Sequence, residues 1–358
     1  MPKKEDRLLR VGVLGAGQIA QAAHFESCTK ARNAELFAIC NVADDLRERM
    51  AITHGAAKTF NDYDKLLADP QVEAVVIATA DAFHMPASIK ALQAGKHVLC
   101  EKPVAVAVEE AEALREAVKK SGKTFQIGHM LRFDPGIESA KAFVEDEMGD
   151  LVALKAWYCD STHRYAMTDA IQPLMVSSAN ARKPSANPKA DLRRYYMLAH
   201  GCHLLDLARY LAGPIHSIRT RLSERGGMKC WLAEVNFESG AIGQLDLTIA
   251  VRMDWHEGFQ IYGQNGSIAA KIYNPWYYKS SDVEIFREAD GASHRVLGAD
   301  GHFYRRQMEG FADVILHRKP MTGANIDDGV ASVRAMVAMA HAVETGREVL
   351  LSEASGPV

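Results

Sequence analysis

Cysteine is scarce and unorganised in this chain of 358 residues: Cys28, Cys40, Cys100, Cys159, Cys202 and Cys230 form no C-x-x-C pair and no framework spacing. A disulfide-stapled secreted scaffold is thereby excluded, and reduced thiols are expected. A charge excess is missing too, because 42 Lys and Arg face 45 Asp and Glu for a net charge of -3. No basic field exists to hold nucleic acid or an anionic lipid surface. No apolar run approaches the roughly 20 residues of a membrane span. The start, MPKKEDRLLR, lacks the apolar core of a signal peptide, so a cytoplasmic location is expected. There are no internal repeats and no low-complexity tracts.

What is present is a globular composition, 48% hydrophobic and 24% charged, at a length that favours two domains. The first half alternates strand and helix patterns. RLLRVGVL leads into Gly15-Ala16-Gly17 and an alanine-rich helix; AELFAIC, VEAVVIATA, KHVLCE and TFQIGHM read as further strands. DDLRERMAITHG, HMPASIKALQAG and VEEAEALREAVKKSG, the last closed by Gly122, read as the helices among them. Strands that are apolar throughout and alternate with helices imply a parallel sheet covered on both faces. Residues 1–130 are expected to form a doubly wound α/β domain.

The glycine turn has a mechanism in that context. Gly15 permits the tight turn, Gly17 lets backbone approach a pyrophosphate at the helix start formed by Gln18 and Ile19, and Ala20 lets helix and strand pack closely. Such a sheet binds its ligand outside the carboxyl ends of its strands. The tails there are Gly15 to Ile19, Asn41 and Val42, Thr79 and Ala80 on to His84, Glu101 to Pro103, and His129 to Arg132. Asn41 stands where an acid would bind the ribose hydroxyls of NAD. No arginine follows it directly to hold a 2'-phosphate, so NAD is the expected cofactor and NADP stays open.

At KHVLCEKPVAV an apolar strand runs into an acid, a base and a proline, a poor continuation of either strand or core helix. Together with GVLGAGQIA, VVIATADAFHMPASIKALQAGKHVLCEKP, HMLRFDP, HGCHLLDLARYLAG and GFADVILHRKP, it resembles the Gfo/Idh/MocA oxidoreductases, the family of glucose-fructose oxidoreductase and inositol dehydrogenase. The resemblance spans nearly the whole chain. It implies a second α+β domain, residues 131–358, on an open, mostly antiparallel sheet serving oligomer contacts, and a homodimer or homotetramer. It also implies a sugar or cyclitol substrate held between the domains, and hydride transfer between a carbinol carbon and nicotinamide.

Carried onto this sequence, the resemblance makes Lys102 and His203 the catalytic pair, with Lys102 on the reacting hydroxyl and His203 as acid/base. Glu101 would orient the lysine or ribose, and Pro103 would hold the turn through a cis bond. His84 and Arg132 would lie near the cofactor, and His129, Arg132 and His200 near the substrate. The family's second element reads D-x-x-x-H, whereas Ala199 precedes His203 here, leaving His200 as the adjacent replacement. His200, His203 and Asp206 have helical spacing but no further ligand cluster, so no metal is expected, and Asp206 reads as a helix ion pair with Arg209.

The polar, proline-punctuated stretch from Cys159 to Leu198 reads as a loop that covers the binding site or reaches a neighbouring subunit, with Arg164, Tyr165 and Arg182 as substrate or interface contacts. SIRTRLS, CWLAEVNFESGAIGQLDLTIAV, GFQIYGQNGSIAAKIYN and DVEIFRE read as a strand meander. HFYRRQMEGFADVILH and DDGVASVRAMVAMAHAVETG read as closing helices. Two other functions compete with the dehydrogenase. One is an NAD-dependent glycoside hydrolase on the same scaffold, and the other is a non-catalytic nucleotide-binding regulator.

Overall fold

The structure is a computed structural model that describes residues 3–163, 170–182 and 189–358. The chain divides into two compact units. The first comprises Met1–Met130, Gln172–Ala190 and Tyr304–Val330; the second comprises Leu131–Ile171, Asp191–Phe303 and Ala331–Val358.

In the first unit six strands, β1 (Leu9–Leu14), β2 (Ala34–Cys40), β3 (Lys58–Phe60), β4 (Ala74–Ile77), β5 (His97–Cys100) and β6 (Phe125–Ile127), form one parallel sheet in the order β3-β2-β1-β4-β5-β6. This is the doubly wound arrangement expected from strands without a polar face: every residue of β4 and β6 is buried. Strand order reverses at β1 and β4, where such sheets hold their ligand. Neither β3 nor the helix Tyr63–Ala68 that follows it is legible in the amino-acid pattern. β3 is a three-residue edge strand without an apolar run, and the helix is set by its cap, Asp62, whose carboxylate accepts from the Asp64 and Lys65 N–H groups.

Phe25, Leu9, Val11, Val13 and Ile39 pack with Met308 and Phe311 of the helix Phe303–His317 in one buried cluster. Truncating Phe311 there would cost about 3–5 kcal/mol by lost contacts and the cavity left behind. A polar lock supplements this packing: Asn33 Nδ2 donates to Glu309 O at 2.9 Å and to Asp313 Oδ1 at 2.7 Å.

The second unit carries β7 (Leu151–Ser161), β8 (Ile215–Arg225), β9 (Met228–Phe237), β10 (Ile242–Val251), β11 (His256–Gly263), β12 (Gly266–Ile272), β13 (Asp282–Arg287), β14 (Ala292–Val296) and β15 (Val349–Leu350). They form one sheet in the order β14-β13-β12-β11-β7-β10-β9-β8-β15, and within it β7 and β10 run parallel while the other neighbours are antiparallel. The expected open, mostly antiparallel sheet is therefore present. On β9, Trp231, Ala233, Val235 and Phe237 are buried while Leu232, Glu234 and Asn236 are exposed, the two-residue period of a sheet with one packed face.

The loop expected from Cys159 onward starts later. Cys159, Asp160 and Ser161 end β7 and are buried, and their polarity hid them because a buried aspartate and serine do not read as core. The second unit also contains the helix Cys202–Ala212, entered through a π-helical turn at Met197–Gly201. Among the described residues no helix is long and apolar enough to cross a membrane.

Candidate active site

β1 ends at Leu14 and the chain turns at Gly15, whose φ is +104°. A Cβ on Gly15 would lie 2.4 Å from the Ala78 carbonyl oxygen, so the turn closes against the tail of β4 only as glycine. Gly15 N–H donates to Cys40 O at 2.9 Å, tying the turn to β2 as well. Gly17 differs: it is exposed, and a Cβ there would meet nothing within 4 Å, which leaves bare backbone at the helix start. Ala16 and Ala20 are buried, and Gln18 and Ile19 open the helix before a π-helical turn at Ala20–His24 that continues as Phe25–Lys30.

That turn presents two side chains which sequence reasoning missed, Gln21 and His24. The signal available was a pair of polar residues three apart in an alanine-rich stretch. Gln21 Nε2 donates to Ala16 O at 2.8 Å and to Val176 O at 2.9 Å, and Val176 N–H returns a bond to Gln21 Oε1 at 2.9 Å. Ser178 Oγ donates to Asp45 at 2.8 Å, and the Arg182 guanidinium lies 5.0 Å from the centre of the Phe83 ring. This part of the long segment therefore runs past the helix starts that follow β1 and β2 and the turn that follows β4. Arg164 and Tyr165 lie outside the described residues.

His24 explains the strand ending noted in the sequence. Glu101 is only 5% exposed; its Oε1 lies 2.8 Å from His24 Nε2, and its Oε2 accepts the Lys102 N–H at 3.1 Å. Gly128 makes room for it, since a Cβ there would approach the carboxylate to 3.1 Å. Burial pushes the Glu101 carboxyl upward, but the His24 bond and the nearby charge of His24, Lys102 and His84 outweigh burial and hold it below the usual carboxylate range. Lys102 follows, half-buried, and the Lys102–Pro103 bond is cis.

His84 is buried within the same turn. Its Nδ1 is 2.7 Å from Pro103 O and its Nε2 is 3.1 Å from Thr79 O. Both ring nitrogens thus face carbonyl oxygens, which seats the ring between the β4 tail and the Glu101-Lys102-Pro103 turn. Thr79 Oγ1 is buried with no hydrogen-bond partner among the described residues, and Ala80 beside it is half-buried. At the β2 tail, Asn41 Oδ1 accepts from Ala43 N–H at 2.9 Å, while Arg47 Nη1 donates to Asn41 O at 2.9 Å and pairs with Asp44 at 2.5 Å.

The second unit gathers its own cluster. Tyr158 on β7 presents its hydroxyl 3.2 Å from His200 Nδ1, and its ring stacks on His203 with centroids 6.0 Å apart and planes 7° from parallel. Asp160, two residues along the same face, places Oδ2 3.7 Å from His200 Nδ1. Trp255 meets Tyr158 edge-on at 5.2 Å, and Tyr196 tilts over His200 at 5.9 Å. Glu257 on β11 lies directly across from Tyr158 and is 4% exposed. Burial pushes its carboxyl up to about 8, the charges of Asp134 and Asp160 add to the push, and the Trp255 indole opposes it without closing a hydrogen bond.

The three residues read as one helical face separate in space. His200 and His203 share Tyr158, whereas Asp206 accepts a fork from Arg132, Nε at 3.0 Å and Nη2 at 2.7 Å. Asp206 thus has Arg132 as an ion-pair partner, which its helical spacing did not single out. Arg132, expected at cofactor and substrate, is buried in that pair with its guanidinium 4.8 Å from the centre of the Tyr210 ring. His129 is buried at the tail of β6.

A dinucleotide fits the first unit. The exposed backbone at Gly17, the helix start behind it and the unpartnered Thr79 hydroxyl are what a pyrophosphate and its flanking sugars would engage. Gly15, Ala16, Gly17, Gln18 and Ile19 would hold the phosphates, Asn41 the adenosine ribose, and Thr79, Ala80 and Glu101 the nicotinamide side.

Comparison with known proteins agrees. Residues 9–129 match the profile described as "Oxidoreductase family, NAD-binding Rossmann fold", and residues 140–269 match that of the "GFO/IDH/MocA C-terminal domain". A 1,5-anhydro-D-fructose reductase of Ensifer adhaerens is 25% identical over 346 residues, 94% of this chain and 97% of the relative. A myo-inositol 2-dehydrogenase of Thermotoga maritima is 25% identical over 273 residues, covering 73% of this chain and 75% of the relative. The solved structure of a levoglucosan dehydrogenase in complex with NADH superposes with a TM-score of 0.77 at 20% identity, over 96% of this chain and 99% of that one, and shares its fold. With both parts matched in order along one chain, and the glycine turn built as a dinucleotide requires, the protein belongs to the Gfo/Idh/MocA family of NAD-binding oxidoreductases.

Proposed function

We propose that the protein is an NAD(P)-dependent dehydrogenase that oxidises a secondary hydroxyl of a sugar, a sugar derivative or an inositol, with NAD preferred. The observation that supports this reading most is the Glu101-Lys102-Pro103 turn at the carboxyl edge of the parallel sheet, with Glu101 held ionised against His24. A buried acid fixed this firmly keeps the backbone of Lys102 in place, as a side chain that must reach a reacting atom requires. Names of relatives, an anhydro-sugar reductase and an inositol dehydrogenase, support the substrate class.

Nicotinamide, when bound, supplies the acceptor for the hydride. Oxidation of the carbinol breaks its C–H and O–H bonds and forms a carbonyl, so the protein must take one proton. Lys102 steadies the developing charge on oxygen and His203 accepts the proton, the ring being held flat by its stack on Tyr158. His129, Arg132 and His200 are proposed to line the substrate region, Arg132 through its pair with Asp206, and His84 to shape the cofactor side through its two carbonyl contacts. A homodimer or homotetramer and a cytoplasmic location belong to the same proposal.

The test is a screen of polyols, aldoses and inositols against NAD and NADP by nicotinamide absorbance, followed by Lys102→Ala. The variant is expected to bind NADH with unchanged affinity by fluorescence titration and to lose about 10²–10⁴ in turnover. Unchanged turnover removes Lys102 from the mechanism. Glycoside cleavage with no net nicotinamide change would overturn the dehydrogenase reading in favour of a hydrolase.

A further inference from the structure

The second unit holds a buried carboxylate, phenol and imidazole together on elements that are far apart in sequence. Asp160 and Tyr158 project from the same face of β7, and both reach the same nitrogen of His200, at 3.7 Å and 3.2 Å. Asp160 and His200 are 4% and 5% exposed, so their charges act in a medium much less screening than water. The π-helical turn Met197–Gly201 carries His200, and such turns redirect a side chain that a regular helix would point elsewhere. Among the described residues of this unit, His200 faces Tyr158 and Asp160 from β7 and Tyr196 from the preceding helix, while His203 and Glu257 lie against Tyr158.

We propose that Asp160, with the Tyr158 hydroxyl, acts as a positioning residue that fixes the tautomer of His200 and favours its protonated form, making His200 a second proton-holding ring beside His203. With Nδ1–H donated toward Asp160 and Tyr158, a neutral His200 carries its lone pair on Nε2, and the carboxylate stabilises the cation formed when Nε2 takes a proton. Tyr158 joins the two rings, hydrogen-bonded to His200 and stacked on His203. Both imidazoles therefore contact the same phenol. This role rests on the dehydrogenase reading above for its use in catalysis, but not for its existence.

The experiment is a nitrogen-15 correlation spectrum of the histidine rings of the full chain across pH 5 to 9, with His200→Gln assigning the signal. His200 is expected as the Nδ1–H tautomer, and Asp160→Asn is expected to move its titration midpoint to lower pH. Tyr158→Phe, which removes only a hydroxyl, is expected to loosen the tautomer and carries the test if Asp160→Asn destabilises the fold. Asp160→Asn should also lower kcat about tenfold or more with NADH affinity unchanged, the acid limb of the kcat profile moving with the His200 midpoint. An unmoved midpoint and tautomer in both variants overturn the proposal. A moved midpoint in an enzyme that turns over no polyol, aldose or inositol overturns the dehydrogenase reading and leaves the Asp160–His200 pair standing.

Discussion

Glu257 offers the most quantitative check on the electrostatics of the second unit. Its carboxyl is carried from 4.5 to about 8, a rise of about 3.5 pH units that corresponds to roughly 5 kcal/mol as an upper bound at about 1.4 kcal/mol per unit. The folded chain therefore keeps a proton on Glu257 in a range where the unfolded chain has lost it. Stability contributed by this group is complete below about pH 4.5, falls as pH rises, and is gone above about pH 8. Glu257→Gln keeps the shape and cannot ionise. We expect urea midpoints of the two proteins to agree below about pH 4.5, and the variant to be the more stable by several kcal/mol at pH 9, the divergence growing steadily between about pH 4.5 and 8. A difference between the two proteins that is constant with pH would refute the reasoning, because it would place Glu257 in water or give it a cationic partner.

Two further outcomes follow from buried groups in the first unit. His24→Ala leaves the Glu101 carboxylate buried without its partner and should cost about 3–5 kcal/mol, seen as a lowered melting temperature at pH 7. Because Glu101 is held below its ordinary range, its contribution is present above about pH 4.5 and lost on acidification, so the deficit should shrink toward pH 3; a variant that melts like the parent would refute the pairing. The Cys28 and Cys100 thiols are pushed up to about 12 by burial, whereas Cys230 is half-buried. Iodoacetamide at pH 8 should label Cys230 first, and peptide mapping that finds native Cys28 or Cys100 modified would contradict their burial.

Much of this molecule is legible before any coordinates. Strands such as AVVI of β4 have no polar face, which commits them to a sheet covered on both sides, and the Gly15-Ala16-Gly17 turn admits few readings once a strand precedes it and a helix follows. The meander from β8 to β13 is equally plain, since its two-residue alternation is a local property. The short edge strand β3 and the polar end of β7 were missed because neither carries an apolar signal of its own.

The amino-acid sequence by itself determined the doubly wound sheet, the nucleotide turn and the unusual strand ending at Glu101-Lys102-Pro103, all of which depend on residues within a few positions of one another. Only the tertiary structure decided the partners: His24 for Glu101, Arg132 for Asp206, Asp160 and Tyr158 for His200. These pairs are separated by 40 residues or more along the chain. A side chain's composition states which bonds it can make, but burial beside a particular partner, which fixes its charge, is a property of the folded packing alone.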